Sequence, residues 1–135
     1  MLRTSLLAGL MLCATVVQTS SQAPRLNLVM REKLQASQAL LGALVTSRWS
    51  ELERQALVLQ RVTRAPGWAV LTEPEYRRQT AAYITALDAL VEAARHRDLE
   101  AAPQAYVSVT MSCVQCHRYV AGRRIAGGRQ EPVHD

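Results

Sequence analysis

The sequence predicts an all-α fold, an antiparallel four-helix bundle. Apolar residues recur at three- and four-residue spacing through most of the chain. No stretch alternates strongly with period two; Val107 to Thr110 is the one β-tolerant run, and it sits inside a helical stripe. The links between stripes are mostly short, which favours neighbouring helices packed as hairpins. A length of 135 residues allows one domain. With 49% hydrophobic and 20% charged residues the composition is globular rather than disordered. No internal repeat or low-complexity segment stands out.

The N-terminal segment, 1–23, reads as a secretory signal peptide and not as part of the bundle. Arg3 supplies a positive start, Leu6 to Val17 is an uncharged apolar run, and Gln18 to Ala23 is small and polar. Cleavage after Ala23 or after Ser21 fits the small residues there. The run is about 12 residues, short of the ~20 that span a bilayer. The domain is then 24–135, exported and without stable membrane insertion.

The first helix is expected over Leu26 to Val45, with Leu26, Met30, Leu34, Leu41 and Leu44 as its inward stripe and Val29, Ser37 and Leu40 alongside. A second runs from about Ser50 to Val62 on Leu52, Ala56, Leu59 and Val62 or Thr63, and Ala65-Pro66-Gly67 stops it. The third opens at Thr72-Glu73-Pro74-Glu75, read as a capping box with Thr72 as N-cap. It continues to about Arg95, with Tyr76, Thr80, Tyr83, Ile84, Leu87, Val91 and Ala94 inward. The fourth begins between Asp98 and Gln104 and places Tyr106, Val109, Thr110, Cys113, Cys116, His117 and Val120 on one face. Gly122 and Gly127-Gly128 are its expected stops, and the tail from about 124 is expected to fray.

The formal charge is +5, almost all of it from arginine, Lys33 being the single lysine. Acidic residues are interleaved with the basic ones, so solvated helix faces explain the balance and no nucleic acid is expected as a partner. Loss of Arg3 and Cys13 with the leader leaves Cys113 and Cys116, in Cys113-Val114-Gln115-Cys116-His117. Cys-x-x-Cys-His is the attachment motif of c-type haem. On a helix, positions i, i+3 and i+4 share a face. Both thiols can therefore reach the vinyl groups of one porphyrin, and His117 can put an imidazole nitrogen on the iron.

Other uses of the motif fit less well. A redox Cys-x-x-Cys favours a helix N-terminus, where the dipole lowers a thiol pKa; this pair lies towards a helix C-terminus. A structural zinc site wants four ligands, and His96 and His134 are badly spaced to complete one. A disulfide between the pair would strain a regular helix. No hydrolase constellation or nucleotide-binding glycine pattern appears, so no enzymatic role is expected. Aromatics are 4% of the chain, with no Phe. A haem is the proposed substitute for the missing rings.

A leader, four helices and the haem motif near the C-terminus resemble cytochrome c′ and its relatives, the class II c-type cytochromes. The stretches Val29 to Leu41 and Tyr106 to Tyr119 also resemble the family. The resemblance covers Leu26 to about Arg124. It implies one haem c per chain, thioether links at Cys113 and Cys116, and His117 as proximal iron ligand. Many members carry a basic residue four positions after the histidine; here that position is Ala121, with Arg118 and Arg123 nearby.

The resemblance also implies that the first helix covers the distal face of the haem. Low-spin members place a methionine there and resemble electron carriers; five-coordinate members place an apolar residue there and bind NO or CO. Met1 and Met11 leave with the leader, and Met111 shares the helix of His117. Met30 is therefore the proposed distal ligand. The resulting expectation is a periplasmic single-electron carrier with His117/Met30 coordination and redox partner proteins. A gas-binding cytochrome c′ and a haem-free helical module with a thiol pair are the alternatives. The family's homodimer contact uses helices 1 and 2; Ala36, Ala39, Gly42 and Ala43 suit it, and equally suit packing within one chain.

Overall fold

A computed structural model describes residues 22–65 and 72–127. These form four helices: α1 (Gln22–Val45), α2 (Trp49–Arg64), α3 (Pro74–His96) and α4 (Ala101–Gly127). No strand occurs among the described residues. Most of the leader, Trp68, the Pro66-Gly67 stop, Arg129 and His134 lie outside them.

Helices adjacent in sequence pack side by side: α1 on α2, α2 on α3, α3 on α4. α1 and α4 barely touch. The core is built from leucine and alanine. Leu40, Leu52, Leu59, Leu87, Leu90 and Val109 are fully buried, with Ala36, Ala43, Ala56, Ala86, Ala93, Ala94, Ala102 and Ala105 between them. Alanine has no side-chain entropy to lose in a helix and lets backbones approach closely. Tyr83 is the one aromatic residue wholly inside this core cluster, and Trp49 packs against its edge from the start of α2.

Two helix ends are closed by the same device. Ser47 and Arg97 take positive φ, 52° and 53°. Arg48 N–H then donates to Ala43 O (2.8 Å) and Asp98 N–H to Ala93 O (2.9 Å), while Ser47 and Arg97 N–H reach Leu44 O and Ala94 O. This is a Schellman closure, usually made by glycine; no glycine marks either end in the sequence. Asp98 also starts α4, its Oδ1 accepting from Glu100 and Ala101 N–H at 2.9 Å each.

Three expectations are corrected. The N-cap of α3 is Glu73, with Pro74 first in the helix; Thr72 stands one residue outside, and Glu75 binds Arg78 and Gln79 instead of closing a capping box. Gly122 does not stop α4, which runs on to Gly127. Flexibility alone does not end a helix when nothing competes for the next turn. Along α1 the buried seam is Lys33, Ala36, Leu40 and Ala43. The predicted stripe lies beside it, with Leu34 59% and Leu41 47% exposed.

Candidate functional site

The exposed stripe of α1 faces a cavity of about 990 Å³, at the upper end of the range of ligand sites. It opens where α1 and α4 fail to close on one another. Met30, Leu34 and Leu41 line it from α1; Gln79, Thr80 and Tyr83 from α3; Tyr106, Val109, Cys113, Cys116 and His117 from α4. The walls are mostly apolar. Leu34 and Leu41, both exposed on α1, border this space.

Helical geometry explains the α4 wall. Ala102, Ala105, Val109 and Ser112 turn into the core. Tyr106, Thr110, Cys113 and His117 follow one another at three- and four-residue steps on the neighbouring face and reach the cavity. Cys113 and Cys116 are half-buried free thiols, and His117 is exposed to the cavity side. All four residues singled out from the sequence, Met30, Cys113, Cys116 and His117, thus line one space. Ala121 and Arg118 border it as well, whereas Arg123 bonds to Glu73 at 2.7 Å. Tyr119 is not among the lining residues; Tyr106 is.

Lys33 belongs to the interleaved charges that the sequence assigns by default to solvated helix faces, and its burial is a correction. It is 8% exposed. Its Nζ donates to Thr63 Oγ1 of α2 at 3.4 Å and stands 3.7 Å from the ring centre of Tyr83 on α3. Thr63 can accept because its own hydroxyl donates to Leu59 O at 2.7 Å. Desolvation pushes the Lys33 ammonium down to about 8; the nearby thiols of Cys113 and Cys116 act the other way. Burial likewise pushes both thiols up, with Lys33 opposing. The signal that could have found Lys33 was its register: it is the first member of the buried 33-36-40-43 series.

Tyr83, expected inward on the third helix, is the second buried polar group beside the cavity. It is 3% exposed, and its hydroxyl is buried with no hydrogen-bond partner. Desolvation pushes its pKa far above the ordinary phenol value. Tyr76, one helical stretch earlier, is pushed up to about 12 for the same reason.

The remaining candidates lie elsewhere. His96 is exposed at the end of α3 and meets Glu92 Oε1 at 2.8 Å. Ala36 and Ala43 are used inside the chain, in the core cluster. Among the described residues no group of three or more His, Cys, Asp or Glu side chains converges, and no helix is long and apolar enough to cross a membrane.

Two thiols and an imidazole on one helix face, opposite a thioether, can hold a ligand by covalent bonds and by coordination. Compared with protein-family models, with curated proteins and with solved structures, the chain matches none.

Proposed function

We propose that the chain is an exported monohaem c-type cytochrome of the class II kind, an antiparallel bundle that carries single electrons in a periplasm. The observation that carries the reading is the shared cavity: Cys113, Cys116 and His117 on α4 and Met30 on α1 border the same apolar space. The donor set and the walls fit the group. Two cysteines suit thioether attachment, imidazole and thioether sulfur suit iron, and Leu34, Leu41, Tyr106 and Val109 suit the faces of a flat apolar macrocycle.

When bound, haem supplies an iron that cycles between two oxidation states one electron apart. The chain's own residues do the rest. Cys113 and Cys116 would anchor the porphyrin edge and keep His117 aligned on the iron. Met30 would occupy the sixth site, raise the potential and exclude weak ligands. Leu34 and Leu41 would lose their exposure to water, at roughly 25 cal/mol for each Å² of apolar surface covered. His117 and Met30 would hold the iron without a larger cluster of ligands.

A pyridine haemochrome assay on protein made with haem-maturation machinery tests the attachment, and the ferric absorption spectrum tests the ligands. Covalent haem with a low-spin spectrum that turns high-spin in Met30→Ala is the expected result. A high-spin parent that takes up CO promptly when reduced would assign the open sixth site of a gas binder. No covalent haem would leave a helical module with a thiol pair.

A further inference from the structure

The core uses one face of α4 and the cavity a second; the third faces outward. That outer face carries Glu100, Gln104, Val107, Met111, Val114 and Arg118, all exposed. Val107 is 58%, Met111 49% and Val114 46% exposed. The steps between them run four, three, four, three, four, the spacing of a coiled-coil seam. The bond from Ala102 N–H to Asp98 O, 3.1 Å, already places Glu100 in the first helical turn. Arg118 lies eighteen residues on, five full turns or about 27 Å, so the two charges stand at opposite ends of one face. Between them the chain has no Asp, Glu, Lys or Arg. α2 and α3, by contrast, expose charged side chains along their lengths, among them Arg54, Arg61, Asp88 and Glu92.

We propose that this face of α4 is the contact of an antiparallel homodimer, two copies of the chain laying their α4 seams together across a two-fold axis. The pattern reads the same from either end, so it is its own complement. A copy turned end for end sets Val107 against the partner's Met111, Gln104 against the partner's Val114 and Glu100 against the partner's Arg118, each pair occurring twice. Neither Glu100 nor Arg118 has an ion-pair partner among the described residues of its own chain. A parallel pairing would instead oppose like charges at both ends, which repel.

The seam is distinct from a contact through helices 1 and 2, where Ala36 and Ala43 are occupied by the chain's own core. Val114 and Arg118 also border the cavity, so the seam runs along its α4 lip. One helix face of five turns is small for a permanent dimer, and association is therefore concentration-dependent. The inference rests on the outer face of α4 alone and stands or falls apart from the cytochrome reading.

The test is sedimentation equilibrium of the purified chain over a range of concentrations in low salt, with reductant present so that no dimer arises through Cys113 or Cys116. Wild type is compared with Met111→Asp, Glu100→Arg and the double variant Glu100→Arg/Arg118→Glu, with far-UV circular dichroism recorded for each. The expected result is a wild type that dimerises and parts on dilution. Met111→Asp, at the middle of the seam, raises the dimer dissociation constant by more than about tenfold. Glu100→Arg brings arginines together at both ends and raises it by about tenfold; adding Arg118→Glu restores wild-type association. Should Met111→Asp lose helix content, the charge series alone decides. A wild type that stays monomeric at about 1 mM overturns the inference. So does a dimer that a folded Met111→Asp leaves intact, or a double variant that associates no more tightly than Glu100→Arg.

Discussion

The Lys33 ammonium stands 3.7 Å from the centre of the Tyr83 ring, and the Tyr83 hydroxyl beyond that ring has no hydrogen-bond partner. A cation and a phenol, each more than nine-tenths buried, thus form one stack at the back of an apolar cavity. The stack joins α1 to α3 where α1 and α4 do not close.

The stack makes stability depend on alkaline pH. Lys33 falls to about 8 in the fold from an ordinary value of 10.5. Between those values Lys33 binds more proton in the unfolded chain than in the fold, so its own contribution to stability rises with pH across the window, while the raised thiols of Cys113 and Cys116 act in the opposite sense. The cost of the buried charge is fully present below about 8. Lys33→Met is expected to melt higher than wild type at pH 7, with the gap closing towards pH 10.5. Thr63, Tyr83, Cys113 and Cys116 face the same ammonium, so the quantity to compare is the difference between the two melting curves. A gap that does not narrow with pH would contradict the assignment.

Two leucines of α1 should respond differently to truncation. Leu40 is fully buried, and Leu40→Ala is expected to lose about 2–5 kcal/mol in urea unfolding. Leu34 borders the open cavity and is 59% exposed, so Leu34→Ala should cost less than about 0.5 kcal/mol in the chain without a ligand. Under the proposed function the second cost grows when haem is attached. Equal costs in the unliganded chain would mean that Leu34 belongs to the core.

Asp98 links α3 to α4. The N–H groups of Ala101 and Glu100 hold its carboxyl below the usual carboxylate range. Its contribution is therefore present above its unfolded pKa and lost as pH falls through the lower folded value. Asp98→Ala is expected to lower the melting temperature at pH 7. Asp98→Asn, which can still accept both bonds, should lose less and should flatten the acid limb of the stability curve. Identical acid limbs in wild type and Asp98→Asn would remove Asp98 as their source.

Gly122 lies inside α4, and a Cβ built there meets nothing within 4 Å. Gly122→Ala is expected to stabilise the protein by about 0.5–1 kcal/mol. The same substitution at a true helix stop with positive φ would destabilise. Thermal melts of the two proteins distinguish these signs.

Much of the helical layout was legible because it depends on local periodicity. Leu52, Ala56, Leu59, Leu87 and Val91 were expected inward and are buried. The turns were harder to read. Ser47 and Arg97 adopt a conformation that glycine usually marks, held by bonds from the following residue back across the last turn. Sequence spacing sees the side chains and not those backbone bonds.

Along α1, the sequence by itself determined that one apolar stripe exists and that Met30 lies on it. It also set Cys113, Cys116 and His117 on a common face of α4, because i, i+3 and i+4 coincide on any α-helix. Whether a stripe meets protein or open space depends on how far apart two helices stand, which no local pattern encodes. The tertiary structure decided that Met30, Leu34 and Leu41 border a cavity while the adjacent Lys33 series fills the core. It brought Lys33 against Tyr83, fifty residues away, because burial of the leucine-alanine seam fixes the rotation of α1 and takes the lysine inward with it.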